Sequence, residues 1–114
     1  HREMHTLVND ARTAGYKTAI VSNIFNEYLE RWDEITNPVG RFDAVVYSCV
    51  VGMRKPNRAI FDFALAELGL SAREVLVVDD SADVVVAAKS LGFHTVHVIN
   101  HDTAIAEARE LLGL

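Results

Sequence analysis

Segments of helical period alternate along this chain with short apolar runs rich in β-branched residues. Thr6, Leu7, Ala11 and Ala14 fall near helical spacing, and Gly15 closes that first helix. Tyr16 to Ser22 then reads as a buried strand, with Ala19, Ile20 and Val21 at its heart. Phe25, Leu29, Trp32 and Ile35 recur at i, i+4, i+7 and i+10, which predicts an amphipathic helix over 25–35. Asn37-Pro38 and Gly40 break it. A second strand is expected over Asp43 to Ser48, followed by a loop from Val50 to Pro56. Asn57 stands where a helix cap is wanted, ahead of Ile60, Phe61, Ala64, Leu65 and Leu68, with Gly69 closing the helix. A third strand over 75–79 leads into a helix through Val84, Ala87, Ala88 and Leu91, ended by Gly92. A fourth strand over Thr95 to Ile99 and a last helix over Thr103 to Leu112 complete the chain.

The resulting order, α-β-α-β-α-β-α-β-α, is that of an α/β fold on a parallel sheet. There is no repeat, low-complexity tract or linker, and half of the 114 residues are apolar, enough for a core. Residues 1–114 are therefore expected to form a single domain. The net charge of −5 comes from interspersed acids and bases, with no Lys/Arg stripe to neutralise phosphates along a nucleic-acid groove. The lone Cys49 excludes an intramolecular disulfide and fits a reducing, cytoplasmic setting; its apolar surroundings make it a core side chain. No run approaches the ~18 apolar residues of a membrane span, and no signal peptide is visible. The chain opens His1-Arg2-Glu3-Met4, which points to a cut or boundary before His1.

Three features at or just past strand ends carry candidate chemistry, where open parallel sheets bind ligands. Val75-Leu76-Val77-Val78 delivers Asp79-Asp80-Ser81 to a strand tip. Adjacent carboxylates repel, and a divalent cation relieves that; Mg²⁺ suits oxygen ligands and a site open to phosphate. The ordinary alternative is a loop whose Asp caps the next helix, for which one acid would suffice. Ser22-Asn23 ends the strand at 16–22. A hydroxyl and backbone N–H groups ahead of a helix can hold a phosphate oxygen, though Ser-Asn is also a common turn and cap. Lys55-Pro56 presents an ammonium from an extended backbone, because proline biases the residue before it away from helix. Such a lysine neutralises bound phosphate; taken alone it is an ordinary solvated loop lysine. Arg54 is read as a surface residue.

The three features in this order and spacing resemble the haloacid dehalogenase-like (HAD) hydrolase superfamily, in its branch with a small helical cap. The likeness runs from about Leu7 to Ile99 and is densest from Val51-Gly52-Met53-Arg54-Lys55-Pro56 to Leu91-Gly92-Phe93. It implies a three-layer, Rossmann-like parallel sheet, of which this chain holds the C-terminal core region. By the same likeness Ser22 and Lys55 are catalytic and, with Asn23, bind the phosphoryl group of a small phosphorylated substrate. Asp80 is implied as the direct Mg²⁺ ligand, with Asp79 a second ligand or a support through water.

Two departures accompany the likeness. Val84 stands where the family usually has Asn, Asp or Gly, and Asp83 lies one residue earlier, on a different helix face. The chain also contains no Asp-x-Asp, the family's first motif, whose first aspartate is the nucleophile. A complete member would transfer the phosphoryl group to that aspartate and then hydrolyse the aspartyl-phosphate. The expectation is thus a Mg²⁺-dependent phosphatase whose C-terminal part is inactive alone. A catalytically degenerate binding or dimerisation module, or a haloacid dehalogenase-type hydrolase, are the alternatives. A phospho-acceptor receiver domain is disfavoured, because there the acid pair ends the first strand, and here it ends the third. In the family the missing strand lies between the strands at 16–22 and 75–79, so two apolar edges would be left unpaired. The chain should therefore be completed by an N-terminal segment or by a second copy. Sedimentation velocity and chemical denaturation test this: a cooperatively unfolding monomer whose sheet closes directly between those strands would refute it.

Overall fold

The computed structural model describes residues 2–36 and 41–114; the expected helix break at Asn37-Pro38 and Gly40 and the side chain of Ile35 lie outside the described residues. In chain order the elements are α1 (Arg2–Thr13), β1 (Ala19–Ser22), α2 (Leu29–Thr36), β2 (Ala44–Tyr47), α3 (Ser48–Val51), α4 (Arg58–Leu68), β3 (Leu76–Asp79), α5 (Ala82–Ser90), β4 (His94–His97) and α6 (His101–Leu112). The chain is α/β with parallel strands, as the alternating pattern predicts. Its contacts divide it into two compact units, Lys17–Gly69 and His1–Tyr16 with Leu70–Leu114. Among the described residues, each unit contains one two-stranded parallel sheet.

In the Lys17–Gly69 unit, β1 pairs with β2 in a register that sets Ala19 beside Ala44 and Ser22 beside Tyr47. Parallel strands need a crossover, and α2 lies in it. Helix α4 packs on both strands, and its buried face is Ile60, Phe61, Ala64 and Leu68, at the spacing of one helical stripe. Two further bonds hold this unit's ends: Lys17 Nζ donates to the Leu68 carbonyl at 2.7 Å, and the Thr18 N–H donates to Asp43 Oδ2 at 2.7 Å.

In the other unit, β3 pairs with β4, setting Leu76 beside His94 and Asp79 beside His97. Leu7 from α1 joins Val96 of β4 and Ala104, Ile105 and Ala108 of α6 in one buried cluster. The N-terminal helix is fixed to the C-terminal one by Arg109 Nη2 bonding Asp10 Oδ2 at 2.8 Å and by Tyr16 Oη donating to the Leu112 carbonyl at 2.7 Å. Gly92 follows α5 at φ 96°, a backbone conformation that L side chains rarely adopt.

Several element edges differ from expectation for identifiable reasons. Ser48 opens the short helix α3 instead of ending β2, and the segment expected as loop begins inside that helix. The residues before α2 form a 3₁₀ turn over Asn26–Tyr28, so the predicted helix starts late. Asn57 occupies the N-cap of α4 with extended backbone, yet its side chain makes no capping bond. The last helix begins two residues early because Asn100 Oδ1 accepts the Thr103 N–H at 3.1 Å. Ile99 is 84% exposed, outside the strand that its side chain suggests. Cys49 is half-buried, not a core residue.

Replacing Ile60, which is 0% exposed, by Ala should cost about 2–5 kcal/mol in urea unfolding, the range for emptying a packed aliphatic site. Asn100→Ala should cost about 1 kcal/mol, and a loss below a few tenths would show that the cap bond contributes nothing.

Candidate functional site

The Lys17–Gly69 unit brings Ser22, Asn23 and Lys55 together. β1 ends at Ser22, beside the end of β2, because the two strands run parallel and in register. Beyond the tip the backbone has left the ladder, and its polar groups need other partners. Asn23 meets that need for a distant segment. Its Nδ2 donates to the Lys55 carbonyl at 2.9 Å, and its Oδ1 accepts the Lys55 N–H at 2.8 Å. The amide offers its donor to a carbonyl and its acceptor to an N–H, so the Asn23 orientation follows from the bonds themselves. Lys55 is thereby held against the tip of β1, and the peptide bond to Pro56 is cis. Lys55 and Ser22 are half-buried, whereas Asn23 and Arg54 are exposed; the surface placement expected for Arg54 is the one observed.

The next residue is tied from the other side. Ser48 Oγ accepts the Ile24 N–H at 2.9 Å and donates to the Ile24 carbonyl at 3.1 Å. Sequence reasoning passed over Ser48, although the β1–β2 register, by pairing Ser22 with Tyr47, places it beside the residues that leave β1. A cleft of about 470 Å³ adjoins these bonds, lined by Ile24, Phe25, Cys49, Met53, Arg54 and Asn57 among others. The chain enters that region from α3 through Gly52, which sits at φ 73°.

The other unit carries the acid pair. Asp79 ends β3 half-buried, and Asp80 is exposed. Ser81, not an aspartate, caps α5: its Oγ accepts the Val84 N–H at 3.4 Å. One carboxylate oxygen of Asp79 accepts the Ser81 N–H at 2.9 Å. The end of β4 secures the backbone of the pair, since the Val98 N–H donates to the Asp79 carbonyl at 2.9 Å and His97 Nε2 lies 3.0 Å from the Asp80 carbonyl. A carbonyl only accepts, so that His97 nitrogen carries the proton. His97 was not picked out from sequence; its signal is the register partnership with Asp79.

The all-oxygen donor set of Asp79 and Asp80 fits Mg²⁺, which usually takes one or two carboxylates and fills its remaining positions with water and phosphate. It does not form a closed protein cage: among the described residues no group of three or more His, Cys, Asp or Glu could hold a metal ion. Val84 is 4% exposed and belongs to the core, while Asp83 is exposed on α5. The helix position at which the resemblance implies Asn, Asp or Gly is therefore filled here by a core valine.

Comparison with known proteins gives a consistent picture. A sequence model described as haloacid dehalogenase-like hydrolase matches residues 2–92. The chain is 36% identical over 112 residues to acyl-CoA dehydrogenase family member 10 of Mus musculus, covering 96% of this chain and 10% of that protein. It is 27% identical over 110 residues to a sesquiterpene phosphatase of Aspergillus oryzae, covering 96% of this chain and 56% of the relative. It thus spans well under two thirds of either relative. Among solved structures, a predicted HAD-like family hydrolase from Porphyromonas gingivalis superposes with a TM-score of 0.81 at 30% identity, over 98% of this chain and 57% of the other. A HAD family enzyme from Bacteroides thetaiotaomicron, solved in complex with magnesium and inorganic phosphate, shares the fold at a TM-score of 0.70 and 21% identity, over 84% of this chain and 51% of that one. The strand-tip serine, the lysine before proline and the acid pair thus stand in a sequence and a fold of one kind, and the chain belongs to the haloacid dehalogenase-like hydrolase family.

Proposed function

We propose that this chain is the phosphate- and Mg²⁺-binding part of a phosphatase acting on a small phosphorylated metabolite. The observation that carries this reading is the lodging of Lys55 at the tip of β1, where its backbone is bonded to Asn23, the residue after Ser22. A hydroxyl at a strand end, and a lysine whose backbone is held there, suit the oxygens of a phosphate monoester. Ser22 donates its hydroxyl hydrogen to a phosphoryl oxygen, and Lys55 offsets the negative charge of the group. Asp79 and Asp80 hold Mg²⁺, and the capping of α5 falls to Ser81 instead of to either acid. Bound there, Mg²⁺ supplies Lewis-acid neutralisation of anionic oxygen. The relative named as a phosphatase, with the acid pair, favours phosphoryl transfer over dehalogenation.

The attacking carboxylate is not in this sequence, which contains no Asp-x-Asp. An N-terminal segment bearing that motif supplies it and pairs with a strand edge; a second copy of the chain, which lacks the motif, could pair with such an edge without supplying the carboxylate. No described helix is long and apolar enough to cross a membrane, and a reducing, cytoplasmic setting suits the unpaired thiol of Cys49. One observation favours a second reading, a catalytically degenerate module: the buried Val84 stands where the resemblance implies Asn, Asp or Gly.

Calorimetric titration with Mg²⁺ should show binding that Asp80→Asn abolishes; binding unchanged by both Asp79→Asn and Asp80→Asn would overturn the metal assignment. The chain alone should not hydrolyse p-nitrophenyl phosphate, and turnover lost in Asp80→Asn would reveal an unrecognised nucleophile. Joined to a strand carrying Asp-x-Asp, it should hydrolyse that ester with Mg²⁺, and Lys55→Met should lower kcat/KM by about 100-fold or more. Absence of turnover in the joined protein, with Mg²⁺ binding retained, would favour the binding module.

A further inference from the structure

Both polar atoms of the Asn23 amide are engaged by the backbone of a residue far along the chain. The Lys55 N–H reaches Asn23 Oδ1 at 2.8 Å, and Asn23 Nδ2 reaches the Lys55 carbonyl at 2.9 Å. This is the pattern that a neighbouring strand would offer, supplied by a side chain. Lys55 sits between Gly52, which closes α3, and Asn57, which precedes α4, so it belongs to a connection and not to a regular element. Without a tether, a flexible four-carbon stem on a loop backbone would sample many positions for its charge.

We propose that Asn23 is a positioning residue for Lys55: it fixes the lysine backbone at the β1 tip, and its side chain is not a phosphate ligand. This rests on reading Ser22 and Lys55 as the phosphate-binding pair. It assigns the neighbouring residues different work, since Ser22 meets the anion and Asn23 aims the cation. An aspartate at position 23 could accept the Lys55 N–H but could not donate to its carbonyl, and an alanine could do neither. The identity of residue 23 is thus set by the backbone of residue 55.

Two measurements on the chain test this, with inorganic phosphate as the probe. The first is amide hydrogen exchange followed by NMR. Asn23→Ala should speed exchange of the Lys55 N–H by about tenfold or more relative to the Thr103 N–H in the other unit, and Asn23→Asp, which keeps the acceptor, should speed it less. Unchanged exchange in both variants would overturn the tether. The second is phosphate affinity by calorimetry in a double-mutant cycle. Asn23→Ala and Lys55→Met should each weaken binding by about tenfold, and the double variant by about tenfold, not a hundredfold. Additive losses would mean that Asn23 touches phosphate itself and would overturn the proposal while leaving the phosphate site intact. Absence of phosphate binding by the unaltered chain would overturn the phosphate reading of Ser22 and Lys55, whatever the exchange data show.

Discussion

Parallel pairing of very short strands is the constraint on which both units depend. β1 and β2, like β3 and β4, run in the same direction, so neither pair can be joined by a tight turn. A helix must intervene, α2 in one unit and α5 in the other. Parallel pairing also gathers the C-terminal ends of both strands at one edge of each sheet. Ser22 therefore leaves its strand beside Tyr47, and Asp79 leaves beside His97. A slip of one residue would turn Val46 and Val96, each 1% exposed, out of the core, so burial fixes the register and the register fixes which residues meet at the tips.

Past those tips the backbone lacks ladder partners, and polar side chains take their place. Asn23 serves the backbone of Lys55, Ser48 that of Ile24, Ser81 the first turn of α5, and His97 the carbonyl of Asp80. These residues hold the loops in shape, and the work they do frees others. Because Ser81 caps α5, the helix makes no claim on Asp80. Because the Lys55 backbone is bonded to Asn23, its side chain starts from a defined place. Several polar residues at the strand ends thus serve to bind the chain itself.

Family membership and packing interlock in the remainder of the molecule. The family match ends at residue 92, yet β4 and α6 beyond it supply Val96, Ala104, Ile105 and Ala108 to the cluster that buries Leu7. The N-terminal helix could not bury its apolar stripe without the C-terminal one. Val84 shows the same pressure within the matched region, where a side chain in the first turn of α5 has joined the core.

The sequence by itself determined the alternation of helices and strands, the α/β class, the placing of Ser22 and Asp79-Asp80 at strand ends, and that of Lys55 in a connection ahead of a helix. Those follow from local periodicity, from glycines that stop helices, and from short hydrophobic runs rich in β-branched residues. Element edges were less legible. The start of α6 is decided by the Asn100 side chain, and the end of β2 gives way to α3 at Ser48, which bonds Ile24 from the far side of the crossover. Only the tertiary structure decided that Asn23 grips Lys55, that His97 supports Asp80, and that Val84 is core while Asp83 is not. The physical reason is that hydrogen bonds between segments distant in sequence form only after strand register brings them within about 3 Å, and no local pattern encodes that meeting.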